Sequence, residues 1–276
     1  MRNIICIGLL LLCFCADSPS SAKSILVDDE EYVLVFSDDF NSLDSTKWSV
    51  CQRNPSTWAK WISPSPKVAY VKRGTLVCKA IPNRSEPNDT ASMLTGAIET
   101  RGKFSFKYGK VEVRMKTNMR PCNFPAAWLK PDDEVKGAPY GEIDIVEMMS
   151  NEGKATHTIH THRSYTLKKE GITRYFEEPV DVTRWHVYGI IWTEDAVTWT
   201  IDGRVVGTYK KDHSPQMVSE GQWTFDRPFY IRLNQSVRKR AWNDPFIDMS
   251  HNYETRFDWI RVYQRKQDCD SNLIRK

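Results

Sequence analysis

Period-two alternation, with almost no helical periodicity, is the feature that most narrows the folds open to this chain. Lys110 to Lys116 reads K-V-E-V-R-M-K, which puts Val111, Val113 and Met115 on one face and Glu112 and Arg114 on the other. Val197 to Ile201 alternates likewise. Asp202-Gly203 follows as a two-residue hairpin turn, and Arg204 to Tyr209 continues as the return strand. Trp185 to Trp192, Pro228 to Val237 and Arg256 to Tyr263 read as further strands, with Pro/Asn/Ser-rich loops such as Pro82 to Thr90 between segments. Many short strands without an internal repeat, over about 250 residues, predict one all-β domain, a sandwich or barrel. Strands that are polar on one face, beside others apolar on both, point to two stacked antiparallel sheets. The inner faces form the core, and one outer face is free to become a cleft.

Composition removes other classes. Charged residues are 27% and apolar ones 40% of the 276, which excludes disordered, collagenous and coiled-coil chains. The 10 Trp, 11 Tyr and 11 Phe suit a β core or a surface that stacks on sugar rings. A net charge of +4, from 39 basic and 35 acidic residues, is too mild to argue for a nucleic-acid partner. Arg2, the apolar run Ile4 to Cys15 and the small residues Ser20-Ser21-Ala22 read as a secretory signal over residues 1–22. The expectation is an exported protein with one domain over 23–276. Acylation at Cys13 or Cys15 is the second reading, because bulky Leu12 and Phe14 precede them. No later segment is apolar for 18 residues, so none is expected to span a membrane. Cys51, Cys78, Cys122 and Cys269 remain, either as two disulfides of undetermined pairing or as buried thiols. No CxxC pair marks a zinc site.

The chemistry is concentrated in Tyr140-Gly-Glu-Ile-Asp-Ile-Val-Glu-Met-Met149. In a strand, Glu142 and Asp144 share one face while Ile143 and Ile145 enter the core. Glu147 has the wrong parity, and a single β-bulge near Ile145-Val146 would bring all three acids to one face. Carboxylates crowded in this way raise at least one pKa. Glycosidic bond cleavage uses that difference, with one carboxylate attacking the anomeric carbon and a protonated one serving the leaving oxygen. An exposed acidic edge or a hard-cation site are the alternatives on spacing alone.

Glu142-Ile-Asp-Ile-Val-Glu147 resembles the E-x-D-x-x-E signature of glycoside hydrolase family 16, the laminarinase, agarase and endo-β-galactosidase group. Phe36-Ser-Asp-Asp-Phe-Asn41, Gly96 to Lys116, Phe124-Pro-Ala-Ala-Trp-Leu129, Thr158-Ile-His160 and Phe257-Asp-Trp-Ile-Arg-Val-Tyr263 extend the resemblance over nearly all of 32–264. It implies a curved β-jelly roll with a concave cleft, and retaining cleavage of internal β-linkages in a polysaccharide or glycan. By position, Glu142 would be the nucleophile, Glu147 the acid/base and Asp144 the modulator between them. Trp128, Arg114, His160 and Asn234 match cleft positions, with His160 placed to help position Glu147 or to reach a sugar hydroxyl. Trp58, Trp61, Trp223 and Trp242, in loop-like stretches, are candidate sugar platforms; Trp185, Trp192, Trp199 and Trp259 read as core. Asp39 and Asp258 fall where the family often carries a structural calcium. No cofactor is expected for catalysis, no metal at His157, His160 and His162, and the chain is read as a monomer.

The sequence departs from a plain glucanase after Asn234, where Arg238, Lys239 and Arg240 would flank the cleft. Arg163, Lys168 and Lys169 add cations in the loop after His162. Cations beside a sugar cleft favour sulfate or another acidic substituent. Substrate expectation is therefore divided between a β-galactoside-containing chain (mucin or keratan-type glycan, or algal galactan) and a β-1,3-glucan. A catalytically silent glycan-binding protein and a transglycosylase are the rival functions on the same fold.

Overall fold

The computed structural model describes residues 24–27, 30–133, 137–149, 152–238, 247 and 250–268. The leader, Lys239, Arg240, Trp242 and Cys269 lie outside the described residues.

Two antiparallel sheets carry the fold, one of ten strands and one of seven among the described residues. In the larger sheet, Ser24–Val27, Glu30–Asp38, Tyr253–Arg265, Gly109–Thr117, His186–Trp192, Ala196–Ile201 and Arg204–Lys210 lie side by side in that order. In the smaller, the order is Tyr175–Pro179, Lys154–Thr161, Gly141–Glu147, Asn123–Pro131, Phe229–Val237, Ala97–Glu99 and Ser49–Val50.

The alternation read from the sequence is what separates core from surface. Along Gly109–Thr117 burial alternates at every position, with Val111, Val113 and Met115 buried and Lys110, Glu112, Arg114 and Lys116 half-exposed on the outer face. The Asp202-Gly203 turn holds both residues at positive φ, 50° and 81°, as a two-residue hairpin with the right-handed strand twist requires. Inner faces of the two sheets meet in one cluster: Ile143, Ile145, Val146, Leu129 and Ile231 from the smaller, Val111, Val113, Ile190, Trp192, Trp199 and Phe257 from the larger. Burial of this apolar surface is the main term favouring the fold.

Some expectations change. Trp185 and Trp259 do not enter the core. They lie half-buried on the outer face, with Arg114 and Lys116 each 5.0 Å from the Trp185 ring and Arg261 4.1 Å from that of Trp259. Cys51 and Cys78 are buried free thiols, so a two-disulfide framework is not formed. Burial raises the pKa of both, as expected for thiols in an apolar interior. Among the described residues, no helix is long and apolar enough to cross a membrane.

Candidate active site

The acidic strand Gly141–Glu147 lies inside the smaller sheet, between Lys154–Thr161 and Asn123–Pro131, and its geometry departs from a regular ladder at one place. Against Asn123–Pro131, Asp144 pairs with Trp128 but Val146 with Ala127; against Lys154–Thr161, Asp144 pairs with Thr158 but Glu147 with Thr156. One extra residue is thus accommodated between Asp144 and Glu147. Ile143, Ile145 and Val146 are all fully buried, while Glu142, Asp144 and Glu147 line the same cleft. The bulge that the spacing demanded is present at Ile145-Val146.

A bulge takes backbone groups out of the ladder, and buried carbonyls need other partners. Trp199, from the opposite sheet, donates its indole N–H to Asp144 O at 2.8 Å. His157 Nδ1 lies 2.6 Å from Ile145 O. Burial lowers the His157 pKa to about 4, so this ring is neutral and, as the donor to Ile145 O, carries its proton on Nδ1. His157 is therefore a core strut under the acids. Trp199→Phe keeps the apolar ring and removes one donor, leaving a buried carbonyl unpaired at a cost of about 1–3 kcal/mol. We expect a lower melting temperature and a reduced kcat in that variant. An unchanged kcat would mean that the bulge holds the acids without this brace.

The cleft above the bulge has a volume of about 480 Å³. Glu142 accepts a hydrogen bond from the Tyr140 hydroxyl at 2.8 Å, and Lys130 Nζ stands 3.6 Å from the same carboxylate oxygen. His160 Nε2 sits 3.5 Å from Glu142 Oε1 and 3.3 Å from Asp144 Oδ2. His160 thus attends Glu142 and Asp144 rather than Glu147, the first of the two partners expected for it; the other, a sugar hydroxyl, remains within its reach in the cleft. These two carboxylates raise its pKa against the opposing effect of burial. Asp144 is 3% exposed, and burial together with the charge of Glu142 pushes its pKa up to about 6. Glu147 is driven well above the ordinary carboxylate range, by burial first and then by the charges of Asp144 and Glu142; Arg238 opposes the shift. The site therefore favours a proton on Glu147, the condition for a general acid.

Trp128 and Asn234 line the cleft together, with the indole N–H of Trp128 donating to Asn234 Oδ1 at 2.8 Å. That bond fixes the amide orientation and leaves the buried Asn234 Nδ2 without a partner among the described residues, as a donor available to a hydroxyl in the cleft. Trp58 stands edge-on to Trp128, ring centroids 4.9 Å apart. Trp61 instead packs on the Ala80, Met93 and Tyr253 cluster, and Trp223 stacks on Tyr209 against the main core. Trp242 lies outside the described residues.

Arg114 does not reach the cleft. It belongs to the larger sheet, projects from its outer face and pairs with Asp258. Asp39 likewise accepts from Arg261 at 2.8 Å. Both carboxylates expected to bind calcium are held by guanidinium groups, and that donor set does not fit a calcium site. Arg163 and Lys169 also leave the substrate argument. Both pair with Glu220, at 2.8 and 2.5 Å, and these contacts lower the Glu220 pKa to about 2, with the Lys169 hydrogen bond the largest cause. Arg238 does line the cleft, 4.4 Å from the Phe124 ring.

Sequence reasoning missed several cleft residues. Tyr140 stacks on Tyr165 at 3.7 Å, Arg174 lines the wall with a buried Nε that has no hydrogen-bond partner among the described residues, and Lys130 lies under Tyr140. Arg232 lies against both Trp58 and Trp128 and pairs with Glu99 at 2.8 Å. Tyr140 adjoins the acidic motif directly, which was an available signal. Arg174 and Arg232 had none.

Comparison with known proteins agrees with this geometry. The sequence pattern of glycosyl hydrolases family 16 matches residues 66–259. A keratan-sulfate endo-1,4-beta-galactosidase of Sphingobacterium multivorum is 33% identical over 85% of this chain and 56% of its own length. A glucan endo-1,3-beta-glucosidase A1 of Niallia circulans is 30% identical over 84% of this chain and 38% of its own. The chain thus spans between about two fifths and three fifths of these relatives. Among solved structures, a non-specific endo-beta-1,3(4)-glucanase superposes with a TM-score of 0.75 at 25% identity, covering 89% of this chain and 95% of that one. The extent of the family match and the level of identity settle the family: the chain belongs to glycosyl hydrolases family 16.

Proposed function

We propose that the protein is an exported, retaining endo-β-glycosidase acting on a β-galactoside-containing glycan. The observation that carries the catalytic part is the bulged strand, which presents Glu142, Asp144 and Glu147 together in the cleft, with Glu147 favouring its protonated form. In this reading a Glu142 oxygen attacks the anomeric carbon while the bond to the leaving oxygen breaks, and Glu147 gives its proton to that oxygen. Glu147, now ionised, takes a proton from water as the water oxygen attacks the anomeric carbon and the bond to Glu142 breaks, which restores both the Glu142 carboxylate and the protonated Glu147. Asp144 moderates the charge of its two neighbours. Trp128 packs against a sugar face, and Asn234 Nδ2 donates to a hydroxyl. The apolar leader supports export.

The galactoside reading is supported by the keratan-sulfate-degrading relative and by Arg174 and Arg238 in the cleft wall, for which no ion pair with a carboxylate is found among the described residues. A β-1,3-glucan is the second reading, favoured by the glucanase relative and the glucanase of similar fold. The test is depolymerisation of keratan sulfate, mucin O-glycans, agarose, laminarin and mixed-linkage glucan by the purified protein, with products sized. Oligosaccharides from the galactose-based polymers are expected. Products from laminarin alone would replace the galactoside assignment with a glucanase. Binding without cleavage of any polymer would replace the enzyme with a glycan-binding protein, and enlarged acceptor products would indicate a transglycosylase.

A further inference from the structure

Asn123–Pro131 is buried along its whole length, yet it contains a lysine. Phe124, Ala126, Trp128 and Lys130 share the face that looks into the cleft. Lys130 is only 6% exposed. Its Nζ donates to Gly141 O at 3.2 Å, lies 3.9 Å from the centre of the Tyr140 ring and stands 3.6 Å from Glu142 Oε2. Tyr140 closes over it, stacked on Tyr165 and donating its own hydroxyl to that same Oε2. A buried ammonium is costly unless it meets an opposite charge, and here that charge belongs to a carboxylate of the cleft.

We propose that Lys130 is a positioning residue for the reaction: its buried ammonium meets the Glu142 carboxylate and, with Tyr140, ties down Oε2 so that Oε1 is the oxygen presented to the sugar. This rests on the reading of Glu142 as the attacking carboxylate.

The acids facing Lys130 are Glu142, Asp144 and, further along the same strand, Glu147. On the adjoining strand is His160, whose protonation Arg174 opposes. Tyr230 is directly opposite Lys130 in the ladder, with Arg232 two residues on and committed to Glu99. Arg238 acts at the Glu147 end, and Arg227 is paired with Asp133 at 2.9 Å. Lys130 is thus the cation that meets the Tyr140-bound oxygen of Glu142, and it also counters the rise in the Asp144 pKa. Removing a cation from beside carboxylates makes protonation easier, so the acid cluster loses its charge at a higher pH.

Lys130→Met and Lys130→Gln are expected to move the acid limb of the kcat/KM profile upward by about one pH unit. Lys130→Arg, which keeps the charge, should return most of the shift. A role confined to packing would lower kcat or stability and leave the limb in place. The second measurement is independent of turnover: NMR titration of the side-chain carboxyl carbons in the wild type, Lys130→Gln and Asp144→Asn. The signal lost in Asp144→Asn should titrate at higher pH in Lys130→Gln, because Lys130 counters the rise in the Asp144 pKa. If the wild type cleaves none of the polymers, the proposed function fails while this titration still decides the role of Lys130. A folded Lys130→Met or Lys130→Gln with an unmoved titration overturns the inference.

Discussion

Glu142→Gln is expected to leave a folded protein with turnover reduced by about four orders of magnitude or more. The amide is nearly isosteric and can still accept from Tyr140, so the contact that orients the side chain survives. What is lost is the anionic oxygen proposed to form the covalent bond to the sugar. Lys130 then faces a neutral group, and the charge balance of the cluster changes by one without a change of shape. The check is kcat/KM on the polymer that the wild type degrades, alongside a thermal melt. A small anion such as azide, able to enter the space of the missing nucleophile, should return part of the cleavage with inverted product. Near-normal activity in this variant would remove Glu142 from the attacking role.

The sequence made the strands legible because a half-buried sheet writes its two faces into alternate residues. Val111, Val113 and Met115 fall inward as read, and the Asp202-Gly203 turn joins the strands expected. The bulge was legible for the same reason: three acids at that spacing share a face only if one residue is inserted. Arg114 was misread because it too obeys the alternation, but on the larger sheet. Period two tells which residues share a face and is silent on whether that face looks into the cleft or away from it. Arg163 and Lys169 were misread because their partner Glu220 lies over fifty residues further on, beyond any local pattern. Lys130 was the reverse case. A lysine closing an apolar strand could have been flagged as out of place, but its partner, Glu142, is identified only when neighbouring strands are laid side by side.

Glu147→Gln should separate catalysis from stability, because the two are expected to move in opposite directions. Without a proton to give, the variant is expected to lose about 10²- to 10⁴-fold in kcat on a polymer, whose leaving group is a poor one. Aryl glycosides with acidic phenols need little proton assistance, so their first step should be largely spared. Stability follows from the raised pKa of Glu147 in the folded chain. The folded state binds this proton more tightly than the unfolded state, whose carboxyl has the ordinary value of 4.5. As pH rises above that value the unfolded form ionises first, so folding is progressively opposed until the folded-state carboxyl ionises as well. Gln carries no charge and avoids this penalty. The variant should therefore melt above the wild type at pH 7, with the two converging at about pH 4. Asp144→Asn should shift stability in the same sense, since its carboxyl is also raised, to about 6. Melting curves at the two pH values and kinetics on both substrate types suffice. A Glu147→Gln protein that melts below the wild type at pH 7 would show that the acid is not opposed by burial, and full activity on the polymer would show that the proton comes from elsewhere.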